Sequence, residues 1–298
     1  MHNHDIVLKS LGYSIKIKSN ICIGVLFKKS IVINNFIPGL KIIETKNDCD
    51  LAITHKQDKV NRSYESNGNN IFIIDDWRKE IPIYIVHLLY KFFSRAYLKN
   101  GVISLHSSVA EKNDNLYLLV GFSGVGKTSI LIKLLEDYNF KMVSGNKILL
   151  KVNDNKMSVV GVTSVLSIRN ESPTVLNKVI PKKSENFCNR RVFQLPKKYF
   201  SQQRDYRKIY IIYSKINNGV AEFYEIDKND ILPILYPMSL DLVNREVIMF
   251  DGNLLIPDNI SLQIKRRIFK LLKNIKKNSL VYHASGGLDY ICDNINKL

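Results

Sequence analysis

Residues 115–135 read Asn-Leu-Tyr-Leu-Leu-Val-Gly-Phe-Ser-Gly-Val-Gly-Lys-Thr-Ser-Ile-Leu-Ile-Lys-Leu-Leu. Leu116 to Val120 is a short apolar run that suits a buried strand, and Ile130, Leu131, Leu134 and Leu135 recur at helical spacing. Between them, Gly121-Phe122-Ser123-Gly124-Val125-Gly126-Lys127-Thr128 matches G-x-x-x-x-G-K-[ST], the phosphate-binding P-loop, and Ser129 continues it into the helix. Each fixed position has a physical reason. Gly121, Gly124 and Gly126 permit backbone angles and close approaches that a Cβ would forbid, so successive N–H groups turn inward as an anion nest. The helix that starts near Lys127 adds its unpaired N–H groups and the positive end of its dipole. Lys127 would reach β and γ phosphates as a point charge, and the Thr128 hydroxyl would ligate Mg²⁺, a hard cation that prefers oxygen. The plain alternative is a glycine-rich turn before an ordinary helix; the flanking strand and amphipathic helix favour the phosphate loop.

The 298 residues suffice for one large domain or two modest ones. Hydrophobic residues make up 45% and charged residues 24%, which is the balance of a folded globular chain and excludes a disordered one. The longest apolar stretch, Ile81 to Leu89, is too short to cross a bilayer and is followed by Lys91 and Arg95, so no membrane partner is expected. Met-His-Asn-His-Asp at the start lacks the layout of a secretion signal, and the expected location is cytoplasmic. Cys22, Cys49, Cys188 and Cys292 form no C-x-x-C pair, so reduced thiols are expected, and His2 with His4 reads as incidental rather than metal-binding.

The formal charge of +17 raises nucleic acid or an acidic partner as binding classes. The bias toward Lys, Ile and Asn spreads that charge along the whole chain, and charge alone does not make nucleic acid a partner. The densest block, from Lys265 to Lys277, shares a helix with an apolar stripe of Ile264, Ile268, Leu271, Leu272 and Ile275; it reads first as a solvated face, with acidic-partner docking and RNA or DNA contact as alternatives.

Along the chain, residues 6–60 alternate short apolar runs with polar residues and predict a small, mainly antiparallel sheet, with a loop from His55 to Asn70. Ile71 to Asp76 reads as a strand and Pro82 to Leu98 as a helix. Val102 to Ala110 reads as one strand joined by a hairpin turn, residues 111–115, to the strand before the glycine loop. Strands are predicted at 140–143, 147–152 and within 158–168. Residues 170–207, broken by Pro173, Pro181 and Pro196, read as a mobile or substrate-facing loop. A hairpin is predicted around Asn217-Asn218-Gly219, partial helix at most from Ile231 to Asn244 because of Pro233 and Pro237, and then a helix at 260–276 and a last strand that ends in a glycine turn at 286–287.

The run Leu105-His106-Ser107-Ser108-Val109-Ala110, a short turn, and then Val120 to Thr128 resembles the HPr kinase/phosphorylase and phosphoenolpyruvate carboxykinase superfamily, in which a His-containing strand leads by hairpin into the P-loop strand. The resemblance extends over about residues 80–298, with its specific motifs in 105–170. It implies an α/β P-loop domain with a mixed sheet at 80–298 behind a small β-rich module at 1–79. It also implies ATP (or GTP) with Mg²⁺, phosphoryl transfer to a hydroxyl of a peptide, a protein or a small molecule, and the possibility of a homo-oligomer, since members often assemble. Gly121, Gly124, Gly126, Lys127, Thr128 and His106 match directly, and Arg169 resembles a basic residue that follows the next strand.

One departure is chemical. Where the family usually has an Asp-Asp pair as metal ligand and proton acceptor, this chain has Ser144-Gly145-Asn146. Asn146 keeps a carbonyl oxygen for Mg²⁺ or a water, but an amide is no general base. Either another group does that work, with His106 as the leading substitute, or the chain binds nucleotide without transferring phosphate. Phosphoryl transfer tolerates the first option because positioning and charge neutralisation dominate its catalysis. A hydrogen-bonded strand histidine is the plain alternative for His106. Asp75 and Asp76 read as a strand-end turn or as metal contacts, Asp251 as a hairpin residue or a ligand, Arg190 and Arg191 beside Lys182-Lys183 as a solvated loop or phosphate clamps, and His283 as structural. The expected site is therefore His106, Lys127, Asn146 and Arg169 about the Gly121–Ser129 loop, with Thr128 and Asn146 toward the metal. A nucleotide-binding scaffold without chemistry and a nucleic-acid-associated NTPase are the competing classes.

Overall fold

The computed structural model describes residues 4–43, 49–78, 80–152, 157–172, 174, 176–203, 205–227, 229–243, 246–255 and 261–298. His2, Pro173 and Asn244, named above, lie outside them.

The chain begins with a hairpin of β1 (His4–Ser10) and β2 (Tyr13–Ser19), followed by α1 (Ile23–Lys29), α2 (Ile31–Phe36), β3 (Lys41–Ile43), β4 (Leu51–Gln57), β5 (Ser63–Asn67) and β6 (Asn70–Asp75). These strands form one sheet in the order β3-β1-β2-β4-β6-β5. It is mixed, not mainly antiparallel as the sequence suggested: its outer joins are antiparallel, but β2–β4 and β4–β6 are parallel. The cause is that residues 23–36 are helical. A parallel neighbour needs a crossover, and α1 and α2 lie on the one from β2 to β4. Ile23 and Phe27, four residues apart, bury one face of α1, and the Ser30 hydroxyl caps α2 by accepting from the Ile33 amide at 3.3 Å. The predicted loop at 55–70 is likewise corrected. The polar β5 becomes a strand through its pairing with β6.

Next come α3 (Ile83–Lys99), β7 (Val102–His106), β8 (Ser108–Lys112) and β9 (Asn115–Val120). Tyr84, Ile85, Leu88 and Leu89 of α3 enter the same core as Ile15, Ile17, Ile53 and Ile73 of the first sheet. The β8–β9 turn forms as expected, with Asn113 and Asp114 at φ 52° and 61°, the left-handed angles of a tight hairpin. The rest of the chain is α4 (Lys127–Asp137), β10 (Lys141–Ser144), β11 (Lys147–Val152), β12 (Met157–Val162), β13 (Val165–Arg169), β14 (Lys183–Phe187), β15 (Arg190–Gln194), β16 (Lys208–Ile216), β17 (Glu222–Glu225), α5 (Leu232–Val243), α6 (Leu262–Lys277), β18 (Leu280–Gly286) and α7 (Leu288–Lys297).

A second six-stranded sheet, β10-β8-β9-β16-β18-β17, has β9 at its centre, parallel to β16. All six residues of β9 are buried, Asn115 together with the apolar run Leu116 to Val120. Alternate side chains enter opposite cores. Leu116, Leu118 and Val120 pack with α5, α6 and the small sheet β12-β11-β7, while Tyr117 and Leu119 pack with α4 and α7. A fourth sheet, the antiparallel group β13-β15-β14, completes the strands among the described residues. The architecture is α/β with mixed sheets.

Four further expectations are corrected. The strand predicted over 102–110 divides at Ser107, and its halves join different sheets. Residues 170–207 hold β14 and β15, paired antiparallel over five residues, in place of a loop. β16 and β17 form no hairpin, because β18 lies between them. α5 is helical despite two prolines: Pro233 sits in the first turn, where its missing N–H is no loss, and Pro237 would have donated to Pro233 itself, so a single intrahelical bond is absent. The closing glycine turn leads into α7, which buries Ile291, Cys292 and Ile295. No helix among the described residues is long and apolar enough to cross a membrane, and no disulfide joins the four cysteines.

Candidate functional site

The glycine loop leaves the buried end of β9 and ends at Gly126, whose φ of 97° is the left-handed cap of α4. A Cβ there would sit 2.3 Å from Ile216 Cδ1, so the position requires glycine for space as well as angle. Ile216, at the end of β16, also donates its amide to the Val125 carbonyl at 3.0 Å, which ties the loop to the neighbouring strand.

Lys127 is buried although it carries a charge, with 7% exposure. Its Nζ donates to the Gly121 and Phe122 carbonyls at 2.6 and 2.9 Å. Burial, and then the guanidinium groups of Arg190 and Arg169, pull its pKa down to about 8. Arg169, at the end of β13, donates to Ser123 Oγ at 2.8 Å and lies over Gly124. The Ser129 hydroxyl pairs with Thr174 Oγ1 at 2.7 Å, and Phe122 is 55% exposed at the loop's outer turn.

Opposite the loop, the chain passes twice between the second six-stranded sheet and the small sheet β12-β11-β7. One crossing runs from β7 to β8 through Ser107, the other from β10 to β11 through Gly145 and Asn146. The two are bonded together: the Ser107 amide donates to the Asn146 carbonyl at 3.1 Å, and Ser108 Oγ donates to the Gly145 carbonyl at 3.2 Å. Thr163, wholly buried, accepts at Oγ1 from the amides of Asn146 and Lys147 at 3.0 and 2.9 Å. Gly145 has no room for a side chain, since a Cβ would stand 1.9 Å from the Val165 carbonyl oxygen. The crossings therefore hold His106, half-buried at the end of β7, and Asn146 side by side, facing the loop.

A cavity of about 280 Å³ lies between these parts, lined by His106, Lys127, Thr128, Asn146, Arg169 and Arg190 together with the glycine loop. Each of the expected residues His106, Lys127, Thr128, Asn146 and Arg169 thus reaches one space, with Ser123, Gly124, Gly126 and Ser129. Gly121 and Phe122 line an adjoining cavity, and Val125 anchors the loop from behind. Hard oxygen donors suited to Mg²⁺ are present in the Thr128 hydroxyl, the Asn146 amide and the Glu171 carboxylate. Among the described residues no group of three metal-binding side chains exists, but Mg²⁺ ordinarily needs only one or two protein ligands beside phosphates and water.

Several weighed residues lie elsewhere. Asp75 accepts from Arg62 Nε at 2.7 Å and from the Tyr84 hydroxyl, Asp76 pairs with Arg78 at 2.8 Å, and Asp251 accepts from Tyr64 and from the Asn253 amide in its turn. These carboxylates have structural partners and line neither cavity. His283 pairs with Glu222 at 3.7 Å and lines neither cavity. Of the two arginines read as a solvated loop or as phosphate clamps, Arg190 reaches the cavity from a strand, and Arg191, next in β15, has its guanidinium 5.8 Å from the Phe193 ring. Ser167, Glu171 and Thr174 also line the cavity, though their sequence neighbourhood carries no motif. No protein-family model matches the chain, and no curated protein does.

Proposed function

We propose that this chain is a nucleotide phosphotransferase of the HPr-kinase-like kind, using ATP or GTP with Mg²⁺ and a hydroxyl acceptor. The observation that carries this reading is the convergence of Lys127, Arg169 and Arg190 on one glycine-lined cavity. Burying an ammonium beside two guanidiniums is unfavourable in the empty protein, and a polyanion reverses the sign of the interaction. A triphosphate tail fits the nest of loop amides, the helix N-terminus and the cations together.

In the proposed reaction the acceptor oxygen bonds to the γ phosphorus as the bond from that phosphorus to the β–γ bridging oxygen breaks. The diphosphate leaves with the bonding pair, and the hydroxyl proton passes to the imidazole of His106. Lys127 and the two arginines neutralise the charge that develops on the transferred group. When bound, Mg²⁺ would add charge neutralisation, held by Thr128, Asn146 and Glu171.

A second reading is favoured by Asn146, which stands where a proton acceptor is expected: nucleotide binding without transfer. Radiolabelled ATP and GTP, incubated with Mg²⁺ and hydroxyl acceptors, separate the two. Transfer or hydrolysis that vanishes in Lys127→Ala supports the enzyme. A thermal shift with nucleotide, equivalent to about 2.7 kcal/mol at a hundredfold excess over Kd, with neither transfer nor hydrolysis, supports the binding protein.

A further inference from the structure

Two larger cavities flank the phosphate cradle, and the loop itself gives them their polarity. One, of about 590 Å³, shares Gly124, Gly126, Ser129 and Thr174 with the cradle and is walled by Ile132, Ile216 and Leu288. The other, of about 620 Å³, shares Ser123, His106, Asn146, Ser167 and Arg190 with it. The lysine of such a loop reaches the β and γ phosphates, and Lys127 Nζ lies on the carbonyls of Gly121 and Phe122, which form part of the 620 Å³ wall. The terminal phosphate therefore faces the 620 Å³ cavity, and the nucleoside faces the other.

We infer that the 620 Å³ cavity is the acceptor site, and that it takes a small molecule carrying a hydroxyl on an apolar, ring-sized body. This rests on the phosphotransfer reading above. Ile83, Val86 and Tyr90 recur on one face of α3, and Pro237 and Met238 face them from α5, so two helices close apolar walls around the space. A recess of this size that joins apolar walls to convergent polar groups is the form of a small-molecule site. The polar groups sit mainly in two places. His106 and Asn146, with Ser123, Ser167 and Arg190, stand at the neck shared with the phosphate cradle, while His87 and Asp241 line the space from the helices, toward a second polar group of the acceptor. Lys147, buried in the floor, holds its ammonium 3.1 Å from the centroid of the Tyr90 ring. The edge strands β7 and β14 also reach this cavity, through His106 and Phe187, so a polypeptide that pairs with an open edge is the competing acceptor.

Cys188 lines the cavity and is exposed, so it reports occupancy. The full chain, with and without Mg²⁺ and the non-hydrolysable triphosphate AMP-PNP, is treated with iodoacetamide in the presence of tyrosol, 4-hydroxybenzyl alcohol, pyridoxine or cyclohexylmethanol, and alkylation is read by peptide mass mapping. A serine-containing heptapeptide serves as the competing class. At least one of the small molecules is expected to slow alkylation of Cys188 by tenfold or more, with Cys22 unaffected. Ile83→Trp, an exposed position at the cavity, should abolish that protection and keep the thermal shift given by AMP-PNP; Asp241→Asn should weaken it several-fold. Unchanged alkylation with all four small molecules, protection by the heptapeptide alone, or protection that persists in Ile83→Trp overturns the inference. A missing AMP-PNP shift in the unaltered protein would instead remove the phosphotransfer reading, and alkylation without nucleotide would still decide the cavity.

Discussion

Buried ionisable groups are handled in opposite ways at the two six-stranded sheets. In the first, Asp75 is 2% exposed and takes hydrogen bonds from Arg62 and Tyr84, the indole of Trp77 donates to the Tyr84 oxygen at 3.0 Å, and His55 stacks on Trp77 at 3.9 Å between centroids. The Nε2 of His55 donates to the Asp75 carbonyl at 3.0 Å, and its Nδ1 accepts from Ser19 Oγ at 2.8 Å. The buried Asp75 charge there meets its complement, Arg62, within the chain. At the second sheet, Lys127 is pressed toward Arg169 and Arg190, and the cationic groups reinforce one another. The first arrangement stabilises the fold with groups of the chain itself. The second makes physical sense when an anion arrives from outside, which is why it marks the site.

That contrast can be broken most severely by Asp75→Ala, which leaves Arg62 and the Tyr84 hydroxyl without their buried acceptor. The expected cost is about 3 kcal/mol of stability by chemical denaturation, with the nucleotide-induced shift intact. Lys127→Ala should do the reverse. Transfer is expected to fall by at least about 100-fold, roughly 2.7 kcal/mol, while the nucleotide-free protein melts no lower than the parent, because an unfavourable buried charge has gone. A smaller effect, about tenfold in nucleotide affinity, is expected for Arg190→Gln by calorimetry, together with a Lys127 pKa that moves back up toward 10.5.

The finest comparison is in pH. His55 has its pKa lowered, chiefly by burial, so below 6.5 the unfolded chain binds the proton more readily and stability falls as pH drops. Lys127 is also a base with a lowered pKa. Between about 8 and 10.5 the unfolded chain again holds more protons, and stability rises with pH across that window. The sign is shared and the windows are separate. Bound triphosphate should erase the alkaline rise and leave the acidic fall, and nucleotide affinity should weaken by up to tenfold per pH unit above about 8, with proton uptake on binding measurable in buffers of different ionisation enthalpy.

The glycine loop was legible in sequence because its chemistry is local: three glycines, a lysine and a threonine at fixed spacing between a strand pattern and a helix pattern. His106, Asn146 and Arg169 could be named only through the resemblance to the HPr-kinase-like pattern, and they reach the same cavity. What stayed hidden depends on pairing between distant segments. No pattern in Val102 to Ala110 reports that the strand changes sheets at Ser107. Residues 183–194 are too polar to read as strands, and only the β14–β15 ladder turns Arg190 from a loop residue into a cavity residue. The helices at 23–29 and 31–36, within the stretch 6–60 expected to be mainly antiparallel sheet, stayed hidden for another reason: two short helices show too few turns for the 3.6-residue period to separate from chance.

One consequence follows from the paired passages at Ser107 and at Gly145-Asn146. They are the narrow bridge between residues 115–137, the proposed phosphate-gripping stretch, and the helical and strand faces that enclose the neighbouring recess. On the proposed reading, substitutions at Ile83, Val86 or Met238 would remodel what is recognised without disturbing the grip. A molecule of that kind would be able to change its clientele over evolutionary time while its source of chemical energy stayed fixed.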